Sequence, residues 1–160
     1  MKRTIISALA WIALISITAP VQAADAVVLV PYGATWKYMD NGSNQGTNWI
    51  GDTFIDSTWA AGPAQLGFGE GDEATVVSYG PDSGNKHVTT YFRHGFTAPD
   101  PTGFVVVRMR VRRDDGAIVY LNGNEVFRDN MPAGPVNFET FALQACSDDG
   151  DDLHETLINP

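Results

Sequence analysis

Several things are scarce in this chain of 160 residues, and each scarcity removes a class of explanation. There is a single cysteine, Cys146, so neither an internal disulfide framework nor a cysteine-based zinc site can be built from this chain. Basic residues are few: ten Lys and Arg face nineteen Asp and Glu, for a formal charge of −9. A duplex-binding role is therefore disfavoured, because phosphate contacts need a basic footprint. No G-x-S-x-G nucleophile elbow occurs, and His154-Glu155 is followed by Thr156-Leu157-Ile158 rather than by the second histidine of a zincin. Gly67-Phe68-Gly69-Glu70-Gly71 begins like a dinucleotide fingerprint, but Asp72 stands where the third glycine belongs and no βαβ pattern surrounds it. It reads as a turn. After Ala24, no window of ten or more residues shows the 3.6-residue periodicity of a helix.

What is present begins with a targeting segment. Lys2 and Arg3 make a positive start, Thr4 to Thr18 is mostly apolar, and Pro20 precedes the small-x-small site Val21-Gln22-Ala23. Residues 1–23 are expected to be a secretory signal cleaved after Ala23, with Ala26 as the alternative position. The apolar run is shorter than the roughly 20 residues that cross a bilayer, so the mature chain is expected to carry no membrane span. Loss of Lys2 and Arg3 makes the mature chain more acidic by two charges. The expected location is extracellular or periplasmic.

Residues 24–160 read as one all-β domain, an antiparallel two-sheet sandwich. The spacing predicts strands at Val27–Val30, Trp36–Tyr38, Ala74–Ser78, Val88–Phe96, Phe104–Arg112, Ala117–Leu121, Glu125–Arg128 and Phe138–Leu143. Asn122-Gly123 is the preferred pair for a type I′ hairpin, whose two central residues both need positive φ. With the Arg113-Asp114-Asp115-Gly116 turn, it predicts a three-stranded meander in which Gly116 supplies a positive φ. Along Phe104–Arg112, Val105, Val107, Met109 and Val111 share a face expected to be core, leaving Arg108, Arg110 and Arg112 to pair with carboxylates on neighbouring strands. Met39 to Gly71 is a long irregular segment carrying Trp49 and Trp59, expected to be packed by its own aromatics. At least two of Trp36, Trp49 and Trp59 are expected to be buried. His87 and His94 should face opposite sides of their strand and share no metal. The acidic run Asp148-Asp149-Gly150-Asp151-Asp152 lacks the EF-hand pattern and reads as a solvated loop.

Several phrases in order carry a family resemblance: Trp36-Lys37-Tyr38-Met39-Asp40-Asn41-Gly42, Gly46-Thr47-Asn48-Trp49, Trp59 through Gly69, Thr89-Thr90-Tyr91-Phe92-Arg93, Asp114-Asp115-Gly116 through Val126, and Asn130-Met131-Pro132. From about Tyr32 onward the chain resembles the galactose-binding-like jelly-roll modules of secreted bacterial proteins, some of them metallophosphoesterases similar to purple acid phosphatases. The resemblance implies a jelly roll. It also implies that Glu155 to Pro160 approaches closing strands, so that the chain is the C-terminally truncated N-terminal part of a longer protein.

The function expected from this reading is a non-catalytic accessory module that binds carbohydrate or cell-surface glycan. Trp36, Trp49, Tyr91 and Arg93 are the candidate ligand-binding residues, since aromatic faces receive sugar C–H groups. The alternative is a structural module of a secreted metallophosphoesterase or other hydrolase, packed against a downstream catalytic domain. No catalytic residue and no firm cofactor is assigned. The one candidate metal is structural calcium at Asp114 and Asp115, with Glu70, Asp72 and Asp129 as further ligands, set against a plain Asp-Asp-Gly turn that needs no ion.

Overall fold

A computed structural model describes residues 26–148 and 150–159. The signal segment 1–23 and Asp149 lie outside the described residues. Within them the chain is all-β, with helix confined to two single 3-10 turns at Asn48–Ile50 and Pro101–Gly103. Nine strands follow in chain order: β1 Thr35–Met39, β2 Ala60–Pro63, β3 Leu66–Gly67, β4 Thr75–Val76, β5 Tyr91–Arg93, β6 Val107–Val111, β7 Ala117–Leu121, β8 Asn124–Asp129 and β9 His154–Ile158. They form one three-stranded sheet, β2-β1-β5, and three pairs, β3-β4, β6-β9 and β7-β8, all antiparallel except β3-β4.

The register of the three-stranded sheet sorts its side chains. Lys37 and Met39 lie opposite Arg93 and Tyr91, whereas Tyr38 lies opposite Phe92. Strand alternation therefore puts Tyr91 and Arg93 on one face and Trp36 and Tyr38 on the other. On the other face, β4 lies over the β2 edge of the sheet. Gly62, opposite Trp36, is buried, and a Cβ there would collide with the Thr75 side chain, whose hydroxyl donates to the Pro63 carbonyl at 2.8 Å. Trp59, Val77 and Tyr91 are the buried apolar residues among those described.

The Asn122-Gly123 hairpin forms as its sequence requires: φ is 49° at Asn122 and 83° at Gly123, and β7 and β8 flank them directly. The meander does not form. β6 pairs with β9 instead of β7, in the register Val107↔Ile158 to Val111↔His154. The link between β6 and β7 is anchored elsewhere: the Asp115 carboxylate accepts the Cys146 amide at 2.6 Å, and the Arg113 guanidinium pairs with Asp129 at 2.5 Å. Gly116 is not in the left-handed region. It is glycine for lack of room, since a Cβ would stand 2.8 Å from Met131 Sδ and 3.0 Å from the Asn130 carbonyl oxygen.

Two expected strands are absent. Val27–Val30 is irregular, and Phe138–Leu143 is displaced by a local turn in which Asn137 accepts the Glu139 amide through its side chain and the Thr140 amide through its carbonyl, each bond satisfying backbone that a ladder would otherwise need. The segment from Met39 to Gly71, in turn, holds β2 and β3. Val105 lies before the β6-β9 ladder begins and is 85% exposed rather than core. The arginine row behaves as expected on its outer face: Arg108 and Arg110 both meet Glu155 of β9, at 3.5 and 2.9 Å.

Candidate functional site

On the Tyr91 and Arg93 face of the three-stranded sheet, the irregular segment between β1 and β2 folds down and packs by its aromatics. The Trp49 ring meets Tyr91 edge-on at 5.0 Å and Tyr120 of β7 at 5.8 Å. Trp59 contacts Tyr91 at 6.2 Å and Phe54 at 5.6 Å. The pairs of Trp49 with Tyr91 and Tyr120, and of Phe54 with Trp59, are edge-to-face, and all four centroid distances lie in the favoured range for ring quadrupoles. Of Trp36, Trp49 and Trp59, one rather than the expected two or more is buried: Trp59, at 5% exposure, while Trp36 and Trp49 are half-buried.

Arg93 is the clasp of this layer. Its Nε donates to Asp56 at 3.0 Å, and its Nη1 donates to the carbonyls of Gly51, at 3.0 Å, and Trp49. The guanidinium also lies 5.2 Å from the Phe54 ring centroid. The planar fork thus holds three acceptors from one loop while covering an aromatic face. These bonds turn Nε and Nη1 toward the protein, and Tyr91, 6% exposed, lies beneath the layer.

Beside the layer is an open depression of about 590 Å3. Thr47, Asn48 and Thr53 supply its polar groups; Ile50, Phe54 and Ile55 supply its apolar wall, with Gly51 between them. The depression is shallow: Thr47, Asn48, Thr53 and Ile55 are all exposed. The structure therefore brings Trp49, Tyr91 and Arg93 together, with Tyr91 and Arg93 as supports, and separates Trp36, which packs on His94 across the sheet at 5.0 Å. Residues 47–55 were legible only as the stretch around Trp49; which of them line a depression depends on where Arg93 pulls the loop carbonyls.

Asp114 and Asp115 lie elsewhere, at the β6-β7 link. Asp115 caps the Cys146 amide, and its own carbonyl accepts the Asn130 side chain at 3.1 Å. Among the described residues, no group of three His, Cys, Asp or Glu side chains is arranged to hold a metal ion. Of the further acids expected as ligands, Asp129 is engaged by Arg113, and desolvation first, then the Glu73 and Asp114 carboxylates, raise the Glu70 pKa. His87 and His94 are likewise apart, each ring bound through Nδ1 to a carbonyl, of Asp40 and Thr35 respectively, both at 2.9 Å.

A smaller polar cavity of about 160 Å3 adjoins this link, among Arg113, Asn130, Cys146, Asp148, Asp152 and His154. Arg113 Nη1 donates to Cys146 Sγ at 2.8 Å, and the thiol donates to the Asp148 carboxylate. That hydrogen bond and the Asp152 amide hold the Asp148 carboxyl below its usual range. Burial works against the Arg113 charge, but Asp129 and Cys146 outweigh it and raise the guanidinium pKa. The His154 Nδ1 faces Asp129 at 3.6 Å, so the histidine is not paired with the thiol. Asp148 caps its loop, its side chain accepting the Asp152 amide at 2.9 Å, while Asp151 and Asp152 of the acidic run are exposed, as a solvated loop requires.

Comparison with known proteins gave no match: no family model fits the chain, and no curated protein and no solved structure matches it.

Proposed function

We propose that this chain is a non-catalytic carbohydrate-binding module of a secreted protein, of galactose-binding-like jelly-roll type, and that sugar is taken in the depression between Thr47 and Ile55. The observation that carries the reading is the composition of that depression. Hydroxyl and amide groups of Thr47, Asn48 and Thr53 stand beside the apolar Ile50 and Phe54, with the loop held from below by Arg93. Sugars present the complementary surface, C–H patches bounded by hydroxyls.

A panel of immobilised glycans tests this with the wild type and Phe54→Ala. Retention on at least one glycan, weakened about tenfold or more in the variant, is the expected result. Retention on none, or equal retention by both proteins, defeats it. Secretion is checked separately by N-terminal sequencing of exported protein, which should begin at Ala24.

A second reading, a structural module packed on a downstream domain, is favoured by apolar exposure around the β6-β9 pair. Val105 is 85% and Leu157 59% exposed, and Val106 is also exposed. Protection of Val105 and Leu157 from hydrogen exchange only in a chain extended past Pro160 would support that reading.

A further inference from the structure

We infer that the depression at residues 47–55 selects uncharged sugars over anionic ones, and that the Asn48 side chain is its specificity-determining hydrogen-bonding group. The inference rests on the carbohydrate reading above and names the ligand class within it.

None of the residues lining the depression carries a charge. The cation of the supporting layer, Arg93, does not line the depression: Asp56 balances its charge, and the carbonyls of Trp49 and Gly51 take its Nη1. A sugar carboxylate or sulfate entering here would shed water without gaining a cationic partner, which is unfavourable. The acidic chain, with formal charge −9, repels it further. A neutral sugar meets no such penalty. Asn48 opens the short 3-10 turn, and its backbone carbonyl is fixed by the Gly51 amide at 3.1 Å. Its amide thus offers a donor and an acceptor side by side from an anchored position, which suits a pair of adjacent hydroxyls. Thr47 and Thr53 each carry one donor and two acceptor lone pairs on a single oxygen, so neither presents a donor and an acceptor on two separate atoms as the amide does.

The test uses matched sugars: lactose against sialyllactose, and galactobiose against digalacturonic acid, immobilised on the same support at low and high salt. The neutral member of a pair is expected to be bound about tenfold more tightly than its anionic partner. Its binding should change little with salt, since no ion pair is there to be screened. Asn48→Ala should weaken it by about tenfold, the effect of losing a paired hydrogen-bonding group, with an unchanged melting temperature. Thr58→Ala, outside the depression, should bind as the wild type does. Preference for the anionic member, or binding that high salt abolishes, overturns the inference while leaving the carbohydrate reading standing. Neutral-sugar binding unaffected by Asn48→Ala overturns the role of Asn48. Absence of binding to any sugar, neutral or anionic, overturns the carbohydrate reading and this inference with it.

Discussion

At Arg93 one side chain secures three acceptors, and the chemistry of its head group makes a sharp expectation. Arg93→Lys keeps the charge but replaces a planar fork by a point donor, so it should satisfy Asp56 or the two carbonyls but not all three. A loss of roughly 2 kcal/mol in urea-induced unfolding is expected, with Arg93→Ala losing at least as much. A variant as stable as the wild type would remove Arg93 from the account of the loop. Two glycines make a second contrast. At Gly123 the difficulty is a positive φ with open space around it, and alanine should cost about 1 kcal/mol. At Gly116 a Cβ would press on two backbone carbonyls and on Met131, and alanine should cost about 2 kcal/mol or more. The Asn-Gly pair announces its conformation in the sequence, whereas the crowding at Gly116 depends on where residues 129–131 return in space. The same limit applies to Arg93: its company of aromatics could be read from the chain, but which acceptors take its protons could not.

Elements whose pairing is local were the legible ones. β7 and β8 are joined by two residues whose chemistry dictates the turn, and their bounds agree closely with the expected Ala117–Leu121 and Glu125–Arg128. β2, by contrast, is Ala-Ala-Gly-Pro, with no β-branched or alternating pattern, and exists because β1 offers it a ladder and Gly62 lets Thr75 close over it. Around β7, β8 and β9 the electrostatics give two further expectations. Arg113 is 13% exposed and Asp129 35%, so Arg113→Met leaves a part-buried carboxylate with the longer His154 contact at 3.6 Å in place of its closest partner. The expected loss is roughly 2–3 kcal/mol, at the lower end for a broken buried pair because Asp129 keeps some water. Equal stability of the variant would show that the pair is not needed. The carboxyls of Glu125, beside Arg128, of Asp148, beside Cys146, and of Asp100, bonded by Thr102, are held below their ordinary values. Their contribution is complete above the unfolded values near about 4 and is withdrawn as pH falls through the lower folded ones. Glu70, raised by desolvation and its acidic neighbours, has the opposite sign, favouring the fold below its unfolded value and ceasing to do so as pH rises through the folded one. The net expectation is a urea midpoint that falls between pH 5 and 3, less steeply in Glu125→Gln; a flat profile in the wild type would contradict it.

Over the whole molecule, small sheets are tied together by side chains more than by continuous ladders. Trp49 reaches Tyr120 of β7, Thr89 donates to the Phe138 carbonyl at 2.8 Å, and Asn130, at φ 52°, binds the carbonyls of Asp115 and Gln144. Such links join distant parts of the chain and leave no periodic trace, which is why the strands were easier to anticipate than their partners. The pairing of β6 with β9 has a temporal consequence as well. Residues 112–153 must be looped out before that ladder can close, and the chain entropy lost in doing so is not recovered until several rungs have formed. The β7-β8 hairpin lies inside that loop and needs only a two-residue turn, so it can form within microseconds while the outer ladder waits. Thr156→Ala should then hasten unfolding and leave the refolding rate nearly unchanged, whereas Gly123→Ala should slow refolding. β9 would be the last strand to join the fold and the first to leave it.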